Sequence, residues 1–367
     1  MEHPLDVGPL LFLASIGSYW SMYRFRSYSD EPTEKKLLTD ELVLEFMEKG
    51  VVVIPGVLNK EEIEEARSGL HRFLGENGVN VEDLKGTANE LSNLSSTGGA
   101  GGILDIFYQD WKLKVNEHPN VVSSIVTLLE HTYAKCAPHF VHPYGPFIPE
   151  HVLMYIDRVC FRVPEVISNH FYFRKKTLQR SLAPHLDCCP QRLFASTKAI
   201  PKWRPIQAFV ALTDTLGPNE GGFEAHPGFH LTFDTWTETR LPSPSKDGQP
   251  KEPPCVGDFT PIRPIQDKEV LKGMRHIPCR AGDMVCWDIR IPHANSRHNH
   301  SDQAREVAYV GVLPGTGMNR RYVEDQLEKF RAGEVPTDQW HDHSMKQPCS
   351  YEFSDIGKKM MTIESYV

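Results

Sequence analysis

Behind Thr39-Asp40-Glu41, the apolar residues Leu42, Val43, Phe46 and Met47 recur at helical spacing, and Gly50 follows. That pattern predicts a helix with a polar start and a glycine stop. Val51-Val52-Val53-Ile54, ended by Pro55-Gly56, predicts a short strand. Asn59 is placed to cap a second helix with Ile63, Ala66, Leu70 and Leu74 on one face. After a weakly patterned Gly-rich stretch around 95–102, residues 105–135 predict a helix pair with Val121, Ile125, Leu128 and Leu129 as its apolar stripe. From about 150 the period shortens. Runs at 152–156, 171–173, 206–212, 284–287 and 307–313 read as strands. Gly217-Pro218-Asn219, Gly221-Gly222, Pro227-Gly228 and Ala281-Gly282-Asp283 supply turns between them. Helical spacing returns over 319–334, through Tyr322, Leu327 and Phe330. Many short strands with Gly/Pro turns predict a mainly β core, a jelly roll or barrel, with flanking helices.

The ends and one internal stretch break this texture. Val7–Tyr23 is a run of 17 uncharged residues, short of the ~20 a membrane span needs. It contains Gly8, Pro9, Gly17 and three Ser, and acidic Glu2 and Asp6 precede it where a signal peptide would be basic. An arm or short helix packed on the fold is expected, with a targeting or membrane-contact segment as the alternative. Residues 241–265 hold seven Pro and little periodicity. Such a loop is a lid or a solvent-exposed insertion.

Charge narrows the function. The chain of 367 residues carries 40 Lys and Arg against 48 Asp and Glu, a formal charge of −8. No basic excess exists to release counterions from nucleic acid, so no nucleic-acid partner is expected. None of the eight Cys forms a C-x-x-C pair. They read as reduced, buried thiols of an intracellular, cytoplasmic protein, Cys188 and Cys189 included.

The candidate chemistry starts at Ala183-Pro184-His185-Leu186-Asp187. In an extended segment His185 and Asp187 share a face, so one imidazole and one carboxylate can reach the same ion. Alone the signal is weak, because 17 His and 48 acidic residues make an H-x-D match common by chance. Further on, the apolar run from Cys286 ends in His293. Two His and one carboxylate are the ligand set of non-haem Fe(II) oxygenases. Twelve residues past His293, Arg305 opens a strand on which Arg305, Val307, Tyr309 and Gly311 share a face. An inward-pointing Arg needs an anion, and a co-substrate carboxylate fits it in bidentate fashion. Arg297 competes for that role but is expected in the preceding loop.

These residues resemble a known family, the phytanoyl-CoA dioxygenase family of Fe(II)/2-oxoglutarate-dependent oxygenases. Leu38-Thr39-Asp40-Glu41 and the following Gly50-Val51-Val52-Val53-Ile54-Pro55-Gly56-Val57-Leu58 are similar to its helix–strand–helix opening. Ala211-Leu212-Thr213-Asp214, Glu220-Gly221-Gly222-Phe223 and His226-Pro227-Gly228-Phe229-His230 resemble its "AL-D … NGG … PGSH" stretch. Ala281-Gly282-Asp283 leading to His293 resembles its "GD … H" strand. The likeness spans about residues 38–330, without 236–275. It implies a double-stranded β-helix (jelly-roll, cupin-like) core with an N-terminal helical layer. The implied division is 1–36 as an arm, 37–335 as the oxygenase domain with an insertion or lid at about 236–275, and 336–367 as a C-terminal tail.

By the same resemblance His185, Asp187 and His293 form the iron triad, and Arg305 binds the distal carboxylate of 2-oxoglutarate. Asn295 stands where relatives often place a Ser on that carboxylate, a departure from the family pattern. Asn169, Tyr172 and Gln207 lie on strands able to line the co-substrate pocket. The implied reaction uses Fe(II), 2-oxoglutarate and O2, releases succinate and CO2, and oxidises a small organic, lipid-like or specialised-metabolite substrate. Halogenases of similar fold lack the carboxylate, so Asp187 favours hydroxylation or a related C–H abstraction outcome.

Arg174, Lys175, Lys176 and Arg180 precede the His185 segment and offer an anionic substrate a docking group; the plain alternative is a solvated turn. Trp203, Trp236 and Trp287 are pocket candidates, although aromatics at such spacing are more often core. Two other classes stay open: a non-catalytic jelly-roll binding or sensing protein that keeps the metal site, and a zinc hydrolase using the same three ligands.

Overall fold

The computed structural model describes residues 37–97, 99–135, 137–168, 181–194, 200–240, 259–336, 347 and 349–366. They belong to a unit spanning Leu37–Val367; the expectations for the arm 1–36 fall outside them. The unit opens as its pattern predicts. Thr39 accepts from the backbone of Leu42 to start the helix Asp40–Lys49, and Gly50 ends it at φ 66°. A Cβ at Gly50 would lie 2.5 Å from His230 and 2.8 Å from Ile291, so space and conformation both require glycine there. Asn59 and Glu62 cap the helix Lys60–Glu76 reciprocally. The helix pair expected over 105–135 is Asp110–Asn116 and Pro119–His131.

Eleven strands follow in chain order among the described residues. They are β1 (Val51–Ile54), β2 (Ile103–Leu104), β3 (Val152–Arg162), β4 (His185–Leu186), β5 (Ile206–Ala211) and β6 (Phe223–Ala225), then β7 (Thr260–Pro261), β8 (Arg275–His276), β9 (Met284–Asp288), β10 (His293–Asn295) and β11 (Arg305–Pro314). They form a six-stranded sheet, β1-β9-β5-β11-β3-β2, and a five-stranded sheet, β7-β4-β10-β6-β8. Every pairing is antiparallel. This is the α+β, jelly-roll architecture that the pattern implies.

The large sheet is buried on both faces. Val52, Ala208, Val210, Met284, Cys286, Ala308 and Val310 pack with the helical layer. Their neighbours Val51, Phe209, Ala211, Val285, Trp287 and Val307 pack with Leu186, Phe223 and Ala225 of the small sheet. Burial on two sides explains why these strands read as near-continuous apolar runs. The small sheet has only two- and three-residue strands, too short to show a period.

Two segments depart from expectation. Within the insertion at 236–275, β7 pairs with β4, and Lys268–Lys272 forms a helical turn before β8. Residues 259–275 are thus tied to the small sheet, while 241–258 lie outside the described residues. At the C-terminal end, Phe353, Met360 and Met361 join the core, and Glu117 accepts hydrogen bonds from the Tyr351 hydroxyl and the Ser354 amide and hydroxyl. The cysteine reading also needs one correction. Cys160, Cys279, Cys286 and Cys349 are free thiols, but Cys189 is disulfide-bonded. Spacing along a chain does not reveal connectivity, and the bond removes the cysteine argument for a reducing compartment. No helix among the described residues is long and apolar enough to cross a membrane.

The turn from β9 into β10 is held by a buried ion pair. Arg290 donates from Nε to Asp288 Oδ1 at 2.7 Å and from Nη2 to Oδ2 at 3.0 Å. The Tyr133 hydroxyl donates to Oδ2 at 2.5 Å, and Arg290 Nη1 reaches the His139 carbonyl at 2.8 Å. Burial pushes the Asp288 carboxyl up, but the Arg290 guanidinium holds it below its ordinary value. Asp288→Asn leaves the guanidinium uncompensated and should lower unfolding free energy by about 3–5 kcal/mol, read as a shift in the urea midpoint. The pair's contribution is complete above the unfolded carboxylate value of about 3.9. It is lost as pH falls from there through the lower folded value, so the variant and the parent should converge in stability in acid.

Candidate metal centre and co-substrate pocket

β4 and β10 place His185 and His293 directly opposite each other. Opposed residues of an antiparallel pair project to the same side, and the two rings stand 4.3 Å apart. Asp187, two residues past His185, reaches between them. His185 Nε2 lies 3.3 Å from Asp187 Oδ1, and His293 Nε2 lies 3.6 Å from Oδ2. One donor atom from each residue falls within 4.8 Å of the other two.

Backbone carbonyls orient both rings. His185 Nδ1 is 2.8 Å from the Ala183 carbonyl, and His293 Nδ1 is 3.1 Å from that of Ile291. A carbonyl only accepts, so each Nδ1 carries the proton and each Nε2 lone pair turns toward Asp187. This is the arrangement that presents neutral imidazoles to a metal. Burial and the neighbouring His185 push His293 down, toward that neutral form.

A further set of side chains fixes the carboxylate. Gln207 on β5 donates from Nε2 to Asp187 Oδ2 at 2.7 Å, and Arg204 Nη2 stands 3.6 Å from the same oxygen. Gln207 is thus a partner of the carboxylate. Its Oε1 is buried with no hydrogen-bond partner among the described residues. Phe259 stacks on His185 at 5.0 Å, while Phe223 and Trp287 stand 5.8 and 5.2 Å from His293. These rings wall one end of a cavity of about 420 Å³ that the triad, Gln207, Asn295 and Tyr309 also line. Arg158, Arg192, Lys202 and Arg204 also line it, with Asp157 paired to Arg204 at 2.7 Å.

Arg305 lies behind Asn295, on the inner face of β11, and is only 2 % exposed. Its Nη1 is 3.3 Å from Cys160 Sγ and 3.5 Å from Asn295 Oδ1, and its plane lies over Phe209 at 5.3 Å. Nε and Nη2 are buried and have no hydrogen-bond partner among the described residues. The adjacent Glu306 faces the other way, paired with Arg67 and His71. A buried guanidinium with orphaned donors fits a dicarboxylate co-substrate, and two inward Nε2 atoms with a carboxylate fit a divalent cation.

The remaining predicted residues divide. Asn295 reaches the Gly101 carbonyl from Nδ2 at 3.2 Å while facing Arg305. Arg297 is exposed in the loop. Asn169, Tyr172, Arg174 and Lys176 lie outside the described residues. Trp203 is a correction: it belongs to the core, among Tyr133, His142, Tyr144 and Phe147, rather than to the cavity. Its neighbours Lys202 and Arg204 line the cavity instead. Alternation along this extended stretch carried the signal, since a core Trp puts its neighbours on the opposite side. Phe259 gave no signal, because β7 beside it is two residues long.

Fold and site together define a jelly-roll protein with a two-histidine, one-carboxylate centre beside a buried arginine. Residues 46–307 match the family model for phytanoyl-CoA dioxygenase (PhyH), and the chain belongs to that family. Residues 264–361 also match a model described as Gig2-like. Among solved structures, the GlcNAc-inducible gene 2 protein (DUF1479) of Candida albicans is similar at 14 % identity and a TM-score of 0.66, covering 91 % of this chain and 78 % of that one. A hypothetical protein of Escherichia coli is similar at 15 % identity and a TM-score of 0.65, covering 88 % and 82 %. At such identities the likeness is one of fold. No curated protein sequence matches the chain.

Proposed function

We propose that the protein is an Fe(II)/2-oxoglutarate-dependent dioxygenase that oxidises a small organic substrate and releases succinate and CO2. The observation that carries this reading is the convergence of His185, Asp187 and His293 beside the orphaned donors of Arg305. The three ligands would hold Fe(II), and the bound metal with 2-oxoglutarate and O2 would supply the oxidising chemistry. The chain's own part is position and exclusion of water. The Ala183 and Ile291 carbonyls keep both histidines in their ligand tautomer, and Gln207 and Arg204 hold Asp187 in place. Arg305 takes the distal carboxylate, with Asn295 beside it. Phe223, Trp287 and Phe259 keep the metal end apolar. The cations that line the cavity, Arg158, Arg192, Lys202 and Arg204, favour a substrate with an anionic group. A zinc hydrolase would leave Arg305 without a task.

The test is succinate release from 2-oxoglutarate under air with added Fe(II), screened across a metabolite library rich in carboxylates and phosphates. Substrate-dependent stimulation is expected. Protein that neither binds nor turns over 2-oxoglutarate would instead support a jelly-roll binding protein that has kept its metal site.

A further inference from the structure

The loop between β10 and β11 gathers a second set of donors. Glu165 begins the helical turn Glu165–Ser168 that follows β3. His298 Nδ1 lies 2.9 Å from Glu165 Oε2, and His300 Nε2 lies 3.3 Å from the same oxygen. The two rings are 5.0 Å apart, and one donor atom from each of the three residues falls within 4.8 Å of the others. His298 and His300 are separated by one residue and project to the same side, as alternation in an extended loop requires.

Asn299, between them, is buried and anchored. Its side chain donates to the Arg162 and Val163 carbonyls at 3.2 and 3.0 Å, and its carbonyl accepts from the Glu165 amide at 2.7 Å. Asn299 also bridges to Glu220. Arg162 Nη2 donates to the Arg297 carbonyl at 3.1 Å, and Nη1 to that of Ser296. The backbone carrying both histidines is therefore held against the end of β3, and little ordering is left for a ligand to impose. The side chains remain open to solvent, His298 at 39 % and His300 at 61 %.

We propose that Glu165, His298 and His300 form a second metal site that takes a borderline divalent ion of the zinc type. Two imidazoles and one carboxylate suit zinc, and three protein ligands leave a coordination position for water. The ion would tie the end of β3 to the loop that runs from Asn295 to Arg305, so it would stiffen the link between the two strands that carry the co-substrate residues. The site is separate from the triad and does not depend on the proposed oxidation.

The test is calorimetric titration of the metal-stripped full-length chain with Zn2+. Two bound equivalents are expected, one at each cluster. The variant His185→Ala/Asp187→Ala/His293→Ala should keep one. Adding His300→Gln should weaken that remaining equivalent by more than the ~10–100-fold that even an outer-shell change costs, and Glu165→Gln should do the same. A triad variant that binds no zinc overturns the proposal, as does zinc binding that His300→Gln leaves unchanged. His300 is exposed, so its replacement leaves the fold intact. Should the triad variant fail to fold, the count in the parent against His300→Gln, two falling to one, answers the same question. Failure of the iron centre alone would remove the other equivalent and leave this one.

Discussion

His185→Ala should reduce succinate release from 2-oxoglutarate by at least ~10³-fold, or about 4 kcal/mol of transition-state stabilisation. His185 is one of three donors that converge on a single point, with a neighbouring carbonyl fixing its tautomer. Removing it leaves one histidine and one carboxylate, a set too small to hold a labile divalent ion against water. The loss should therefore appear first as loss of bound iron, measured by a chromogenic chelator after desalting. Asp187→Asn should behave similarly, because the amide takes away the only negative charge of the three. Gln207→Leu is the graded comparison. It leaves all three ligands but releases Asp187 Oδ2 from its 2.7 Å hydrogen bond, so iron affinity should drop by ~10–100-fold while some turnover survives at saturating metal. Circular dichroism separates these effects from unfolding. If His185→Ala retains a tenth of the parent's turnover, the triad is misassigned.

What could be read from the chain followed the length of each element. The Asp40–Lys49 helix, β1 and the Lys60–Glu76 helix carry caps, a glycine stop and a full apolar face, and each stands where its pattern puts it. β5, β9 and β11 were legible because five to nine buried residues make an unmistakable run. The small sheet was not legible as a sheet. β4, β7 and β8 have two residues each, and neighbours from distant sequence, not local period, define them. The site was still visible, not from any one ligand but from the order in which an H-x-D pair, a His closing an apolar run and an Arg opening the next strand succeed one another. Side chains that act through the ligands were harder to see. Arg204 looks like any surface arginine until β5 is known to bring it beside Asp187. Trp203 went the other way: its bulk suggested a pocket, but the ring cluster around Tyr133 and His142 claimed it for the core. His298 and His300 carry an alternation signal that becomes meaningful only once β3 delivers Glu165 to the same place.

Arg305→Met should separate binding from stability in opposite directions. Among the described residues Arg305 Nε and Nη2 are buried without a hydrogen-bond partner in reach, and its neighbours Cys160, Asn295 and Tyr309 include no carboxylate. Such a charge costs several kcal/mol to keep out of water. Replacing it with an apolar chain of similar length removes that cost, so the urea midpoint of the variant should equal or exceed the parent's. Binding of 2-oxoglutarate should fall, because a bidentate charge-assisted pair is lost, worth about 3 kcal/mol or ~100-fold in affinity. Arg305→Lys should lie between, since it keeps the charge but not the planar fork that meets both carboxylate oxygens. The co-substrate should also stabilise the parent more than the variant, raising its unfolding midpoint in proportion to the logarithm of ligand concentration. Titration of the iron-loaded proteins with 2-oxoglutarate, alongside urea unfolding with and without it, measures both quantities. Unchanged affinity in Arg305→Met would remove this residue from the co-substrate site. A large loss of stability instead would mean that Arg305 is held by the fold itself rather than waiting for an anion.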